Sequence, residues 1–234
     1  MQRVRVTFSR GEQTKYVPHL DIMRYWERAF RRAGIPIAYS EGFRPHPRFS
    51  IASPLAVGVT SEGELMDVFL EREMPLGQFL RDLAAQMVSD IQVHSVEAVD
   101  AESPSLQSLL RAVEYRVGVA TTKGRDQVEL AVGELMAKES LPWEHLRDGE
   151  ARRYDLRALI HELRLEQWSE GTTEFWMRLR ADTSGAGRPE QVALALGYQE
   201  QPEHIHRVRL LIAAPPVKPA SSGRRPKASG EAEA

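Results

Sequence analysis

Residues 39 to 49 read Y-S-E-G-F-R-P-H-P-R-F and set Arg44, His46 and Arg48 at alternate positions around two prolines. A proline fixes its own φ and drives the residue before it into extended conformations, so Pro45 and Pro47 stiffen Arg44 and His46 before any ligand arrives. Side chains held this way lose less entropy on binding. Gly42 permits a positive φ or a close backbone approach, and Tyr39, Phe43 and Phe49 can hold the loop down or stack on a base. Two guanidiniums and an imidazole in one stiff, aromatic-flanked segment point to a phosphate, a nucleotide or RNA. The competing reading is a proline-bracketed connection between strands.

Upstream, K-Y-V-P-H-L-D-I-M-R-Y-W-E-R-A-F-R-R-A-G adds Lys15, His19 and Asp21, then Arg24, Arg28, Arg31 and Arg32. On a helix these four arginines share one face opposite Met23, Trp26 and Phe30, a stripe suited to following a phosphate backbone. A solvated face, partly paired with Glu27 and acids elsewhere, is the plainer alternative. His19 or His46 could act as a general acid or base, with arginines stabilising phosphate charge. That would make the chain a free-standing RNA-processing enzyme. There is no Gly-rich phosphate loop, nucleophile elbow or persuasive carboxylate pair, so the sequence gives catalysis by this chain no support of its own. His204 and His206 would lie on one strand face, without an evident third metal ligand.

The elements that must position these groups follow from periodicity. Arg3 to Ser9 alternates as a half-buried strand, and Pro18 to Ala33 has helical apolar spacing ended by Gly34 and Pro36. Ile37 to Ser40 reads as a short strand. Phe49 to Val59 and Glu64 to Arg72 read as strands able to pair across a turn at Thr60 to Gly63. A helix over Pro75 to Val88 and a strand over Ile91 to Val99 complete a βαββαβ order. After the boundary-like stretch 100–111, the order recurs: strand Val113 to Thr121, helix Gln127 to Lys138, an extended region within Arg152 to Glu166, strand Thr173 to Asp182, helix Pro189 to Leu196 and strand Ile205 to Ile212. The expected fold is therefore α+β, with two tandem ferredoxin-like domains of antiparallel sheet over 1–100 and 111–213. Residues 214–234, rich in Pro, Ser, Ala and charge, are expected to be a disordered tail.

With 234 residues, 42% of them hydrophobic and 27% charged, the chain can bury a substantial core. No apolar run approaches the roughly 20 residues of a spanning helix. The N-terminus lacks a signal-like apolar segment, so the expected compartment is the cytoplasm, away from membranes. There are no cysteines, which excludes disulfides, thiolate nucleophiles and cysteine-ligated iron–sulfur clusters in these residues. The formal net charge of −2 conceals an asymmetry. Residues 1–48 are strongly basic and 61–102 strongly acidic, so the two either neutralise each other or face different partners.

The segment from Lys15 to Leu70, with its K-Y-V-P-H-L-D, Y-S-E-G-F-R-P-H-P and S-P-L-A-V-G-V motifs, resembles the bacterial radical-SAM-associated proteins that carry the DUF2344 domain. The resemblance is close over residues 14 to 70 and looser to about 212. Two positions depart from the pattern: Pro18 stands where a Ser is expected, and Arg44 where an Asn is usual. The resemblance implies a non-catalytic accessory or substrate-binding partner of a radical SAM enzyme, acting on RNA or a translation component. This chain would carry no cofactor, and the partner enzyme would hold the iron–sulfur cluster and S-adenosylmethionine. RNA is the other implied partner.

Overall fold

The computed structural model describes residues 1–147 and 149–214, and the tail expected over 214–234 lies, apart from Ala214, outside the described residues. In chain order the elements are β1 (Gln2–Arg10), α1 (His19–Arg32), β2 (Phe49–Ile51), β3 (Thr60–Leu70), α2 (Leu76–Ala84) and β4 (Ile91–Val99). They continue with α3 (Leu106–Leu109), β5 (Leu110–Thr121), α4 (Arg125–Ala137), β6 (Pro142–Arg147), β7 (Glu150–Asp155) and β8 (Ile160–Ser169). The last are β9 (Gly171–Asp182), β10 (Gly185–Ala186), α5 (Pro189–Ala195) and β11 (His204–Ile212). The chain is thus α+β with a mostly antiparallel sheet.

Nine strands form one sheet in the order β10-β9-β5-β11-β3-β1-β4, with β2 also on β3 and β8 also on β9. In the first half the antiparallel order is β2-β3-β1-β4, and in the second it is β8-β9-β5-β11. Each half buries its own core. Val4, Val6 and Phe8 of β1 and Met66, Val68 and Leu70 of β3 pack under Trp26 and Phe30 of α1 and Phe79 and Leu83 of α2. In the second half, Val117, Val119, Phe175, Met177 and Leu179 pack under Val128 and Val132 of α4 and Val192 of α5. Alternation along the strands, set against three- and four-residue steps along the helices, produces both layers.

Helix α1 is built from that spacing. Ile22, Trp26, Ala29 and Phe30 are its buried residues, Asp21 lies in the first turn and Arg31 and Arg32 in the last, the signs that favour the helix dipole. Its end is a Schellman turn. Gly34 sits at φ 63, its amide donates to Arg31, and the Ile35 amide donates to Phe30.

Several local expectations shift. Ile37 and Tyr39 make only isolated bridges, to Leu70 and Pro47. Strand β2 stops at Ile51, so the connection to β3 runs through 52–59 rather than turning at 60–63. Residues 61 to 64 are already strand and are used to join the two halves. The extended region expected within Arg152 to Glu166 divides between the end of β7 and β8, and β7 pairs in a charged hairpin with β6, over 142–147, where no strand was expected.

The stretch 100–109 crosses the sheet face away from α1. Arg3 donates to Ser103 and Pro104 carbonyls and, with Arg5, to the fully buried Asp67 carboxylate. Leu106 then enters a small third core with Ala52, Leu110, Val113, Ala181 and Leu210, drawn from both halves.

The two halves meet edge to edge where β11 runs parallel to β3, through His206 opposite Thr60 and Arg207 opposite Ser61. So short a pairing is reinforced by side chains. The buried Arg207 guanidinium makes a two-pronged pair with Glu64, with Nε at 2.7 Å from Oε1, and donates to the Ser53 carbonyl at 3.0 Å. Gly63 lets the backbones close: a Cβ there would lie 2.5 Å from the Val208 carbonyl oxygen. Removing one member of a buried pair strands the other charge, at a cost of roughly 3–5 kcal/mol. Glu64→Ala is therefore expected to lower the unfolding free energy from urea titration by about that amount. The apolar double replacement Glu64→Leu with Arg207→Met should lose distinctly less.

Candidate functional site

The loop singled out by its prolines is a pinned finger at the edge of the first half. The Ser40 amide donates to the His46 carbonyl at 2.9 Å, the His46 amide to Ser40 Oγ at 3.0 Å, and the Arg48 amide to the Ala38 carbonyl at 2.7 Å. With the Tyr39–Pro47 bridge these bonds close a narrow neck. The neck is tied to the sheet because Arg48 also accepts, through its carbonyl, from the Phe69 amide. Beyond the neck, Glu41 to His46 are all exposed, and Gly42 takes φ 121, which other residues rarely adopt.

At the tip Phe43 is fully exposed and Tyr39 about half so (46%). A phenyl ring in water with nothing packed on it leaves its hydrophobic contribution unused. The Arg44 guanidinium and the His46 ring have no hydrogen-bond or ion-pair partner among the described residues. Arg48 is held differently, its guanidinium over the Phe69 ring at 4.7 Å and near Met1 Sδ at 3.3 Å. Arg48 therefore anchors, while Arg44 and His46 are available.

The chain passes from the last turn of α1 through the Ile37–Leu70 bridge into the loop, so the end of α1 and the loop share one end of the first half. Along the exposed face of α1, Arg24 pairs with Asp21 at 3.0 Å and Arg32 donates to the Gln86 carbonyl at 3.2 Å. Arg28 and Arg31 have no partner among the described residues. Lys15 and His19 lie at the opposite end, before and at the start of this 14-residue helix, which is roughly 21 Å long at ~1.5 Å per residue. His19 and His46 are thus not brought together. Lys15 is committed to Glu12 at 2.6 Å, and that hydrogen bond holds its ammonium above the usual lysine range.

Cations elsewhere are mostly spent within the protein. On the sheet face away from the helices, Arg178 and Arg209 both bond Glu114; burial opposes its ionisation, but these bonds hold its carboxyl below the usual range. Arg116 pairs with Glu62 and Glu166, and His204 with Glu174 at 2.9 Å. His206 bonds Thr60 Oγ1 at 2.7 Å through Nδ1 and lies 3.7 Å from a Glu62 carboxylate oxygen through Nε2, and no group of three metal-ligating side chains occurs among the described residues. A cleft of about 510 Å³ in the second half has Lys123 as its one lining cation, already bonded to the Leu196 carbonyl and lying over the Tyr198 ring. Of the basic N-terminal segment, Arg3, Arg5 and Arg10 are buried, which leaves the loop tip and the lower half of α1 as the open cationic surface.

Sequence reasoning attributed the stiffness of this loop to its prolines and missed Ser40, whose hydroxyl caps the neck. A small hydroxyl residue just before the turn was the available signal.

The chain belongs to the family described as "Uncharacterized protein conserved in bacteria (DUF2344)", whose model matches residues 3–189. No curated protein matches it. Among solved structures, it is similar to a chain of a Cbf5-Nop10-Gar1 complex, at 11% identity and a TM-score of 0.47, covering 89% of this chain and 48% of that one. A second is from an H/ACA RNP bound to a substrate RNA containing 2'-deoxyuridine, at 10% identity and a TM-score of 0.45, covering 89% of this chain and 47% of that one. A third is an RAMP protein binding different RNA substrates, at 9% identity and a TM-score of 0.20, covering 88% and 99%. The chain spans about half the length of the first two.

If the neck is held by Ser40 Oγ, Ser40→Ala should speed hydrogen exchange at the His46 amide by up to roughly tenfold, the loss of one modest hydrogen bond. Exchange in β1 and β3 should stay unchanged.

Proposed function

We propose that this chain is a non-catalytic RNA-binding module, with the 38–48 finger and the Arg28–Arg31 end of α1 as its contact surface, and that it presents RNA or a translation component to a radical SAM enzyme. The observation that supports binding most strongly is the pairing, on one rigid tip, of a fully exposed Phe43 with a partnerless Arg44 and His46. Aromatic stacking and phosphate contact are the two ingredients of sequence-tolerant single-strand binding, and both are offered here in advance of a ligand. The helix adds approach charge from Arg28 and Arg31, which no partner among the described residues neutralises.

The enzyme partner rests on the sequence resemblance over residues 14 to 70 and on composition. These residues contain no cysteine, so the cluster and S-adenosylmethionine would be held by the partner. The two antiparallel half-sheets, each with its own helices and core, support reading the halves as ferredoxin-like domains over 1–100 and 111–213 that share one sheet.

Three phosphate contacts, from Arg28, Arg31 and Arg44, would make log affinity for single-stranded RNA fall with log salt at a slope of roughly −2, at ~0.7 per contact. Fluorescence anisotropy across a salt series should show that slope, and Arg28→Ala with Arg44→Ala should flatten it by about 1.4. A slope unchanged by the double substitution, with the fold intact by circular dichroism, would return the finger to a plain connection between strands. Affinity purification at low salt tests the partnership separately. Tagged chain should recover an iron–sulfur enzyme from native cells, and recovery of none contradicts the second half of the proposal.

A further inference from the structure

Joining two half-sheets edge to edge leaves a gap between their helix layers. Its floor is Tyr115 of β5 with Ile205 and Arg207 of β11, and its walls are the 53–59 loop on one side and the 186–190 turn on the other. The cavity holds about 370 Å³, within the range of roughly 300–1,000 Å³ typical of small-molecule sites, and lies at the junction of two units, where such sites concentrate.

Its chemistry is specific in three respects. Pro54, Leu55, Val59, Ile205 and the Tyr115 ring give an apolar interior suited to a flat body. On the floor, the Arg207 charge is already matched by Glu64, so the interior offers no uncompensated charge to the body of a ligand. The Tyr115 phenol lies near the Arg207 guanidinium, which can only donate, and its own proton finds no acceptor among the described residues. Burial holds this phenol above its usual range, so the proton remains available. At the mouth, Arg188 is exposed and Glu190 half-buried, and neither has a hydrogen-bond or ion-pair partner among the described residues.

We infer that this cleft binds one nucleotide: a heterocycle between the 53–59 loop and Tyr115, its edge read by the Tyr115 hydroxyl and the Glu190 carboxylate, and its phosphate on Arg188. The choice of a nucleotide over other flat anions rests on the RNA-binding reading above. The shared chemistry is a base bearing a phosphate, supplied either by a free mononucleotide or by one residue of a bound strand. The site is separate from the finger, since no residue of 38–48 lines the cavity.

The test uses the full chain, with uridine and adenosine 5′-monophosphates, their nucleosides, and a short single-stranded oligoribonucleotide as probes. Saturation-transfer NMR and calorimetry should detect both mononucleotides at millimolar concentration. Arg188→Gln, at an exposed position, should weaken them roughly tenfold, the loss of one charge-assisted hydrogen bond, and leave the nucleosides unchanged. Ala56→Trp, at the exposed rim, should abolish binding of nucleotide and nucleoside alike. Arg28→Ala with Arg44→Ala should weaken the oligonucleotide without affecting mononucleotides. Silence of every mononucleotide and nucleoside, or binding indifferent to both Arg188→Gln and Ala56→Trp, overturns the cleft while leaving the finger to its own salt test. An oligonucleotide whose salt slope ignores Arg28 and Arg44, beside mononucleotides that respond to Arg188, overturns the finger and keeps the cleft.

Discussion

The pair between Arg207 and Glu64 fixes the seam between two halves that each own a core and share a small third one. Backbone pairing between β11 and β3 is short, and a two-residue parallel register is a weak seam. What fixes it is a guanidinium inserted from the last strand, saturated by a carboxylate of β3 and by carbonyls of the 53–59 connection. Burying two charges is unfavourable unless their hydrogen bonds are nearly all made, and here the geometry makes them. The same contact sets the position of the 53–59 loop and the floor between the helix layers. Because Glu64 faces the helices while Glu62 faces the other side toward Arg116 and His206, one short stretch of β3 stitches both faces of the seam.

The distribution of charge has a comparable logic. The basic first segment and the acidic one after it meet in the interior, through Arg3 and Arg5 on Asp67, and at its margin through Arg5 and the exposed Glu97. The remaining surface arginines of the first half are on α1, in the finger and around α2. The wide sheet face of the second half is a lattice of matched ion pairs. Even Trp176 there is covered, with Arg164 over its ring at 3.8 Å. A partner seeking unpaired cations and an uncovered ring finds both at the finger tip.

Much of this was legible in the sequence. The amphipathic spacing of α1, its Gly34 stop and the alternation of β1 and β3 are local, so pattern alone recovers them. The hidden parts are those whose partners are distant in the chain. Residues 60 to 63 look like a turn because Ser61 and Gly63 are turn-like types, yet both lie against β11, Ser61 opposite Arg207 and Gly63 close to the Val208 carbonyl, and the neighbouring Glu64 bonds Arg207 more than 140 positions later. The β6–β7 hairpin was overlooked because its strands are charged, although the Asp148-Gly149 pair is a hairpin signal and Gly149 does take φ 82. For the finger, residue types named the available chemistry, but only the fold separates Arg44 and His46, which are free, from Arg48, which is anchored, and sets Lys15 and His19 apart from them all. Nothing in the sequence announces the cleft, since Tyr115, Arg188 and Arg207 come together only when the halves join.

Photocrosslinking of single-stranded RNA to the full chain, with the attached peptides identified by mass spectrometry, tests the central claim most directly. The account predicts adducts at Phe43 and its neighbours in the finger, with further adducts on the exposed face of α1. Crosslinks confined to the second-half sheet face around Trp176 and Arg178, or the absence of any adduct between residues 24 and 48, would contradict it.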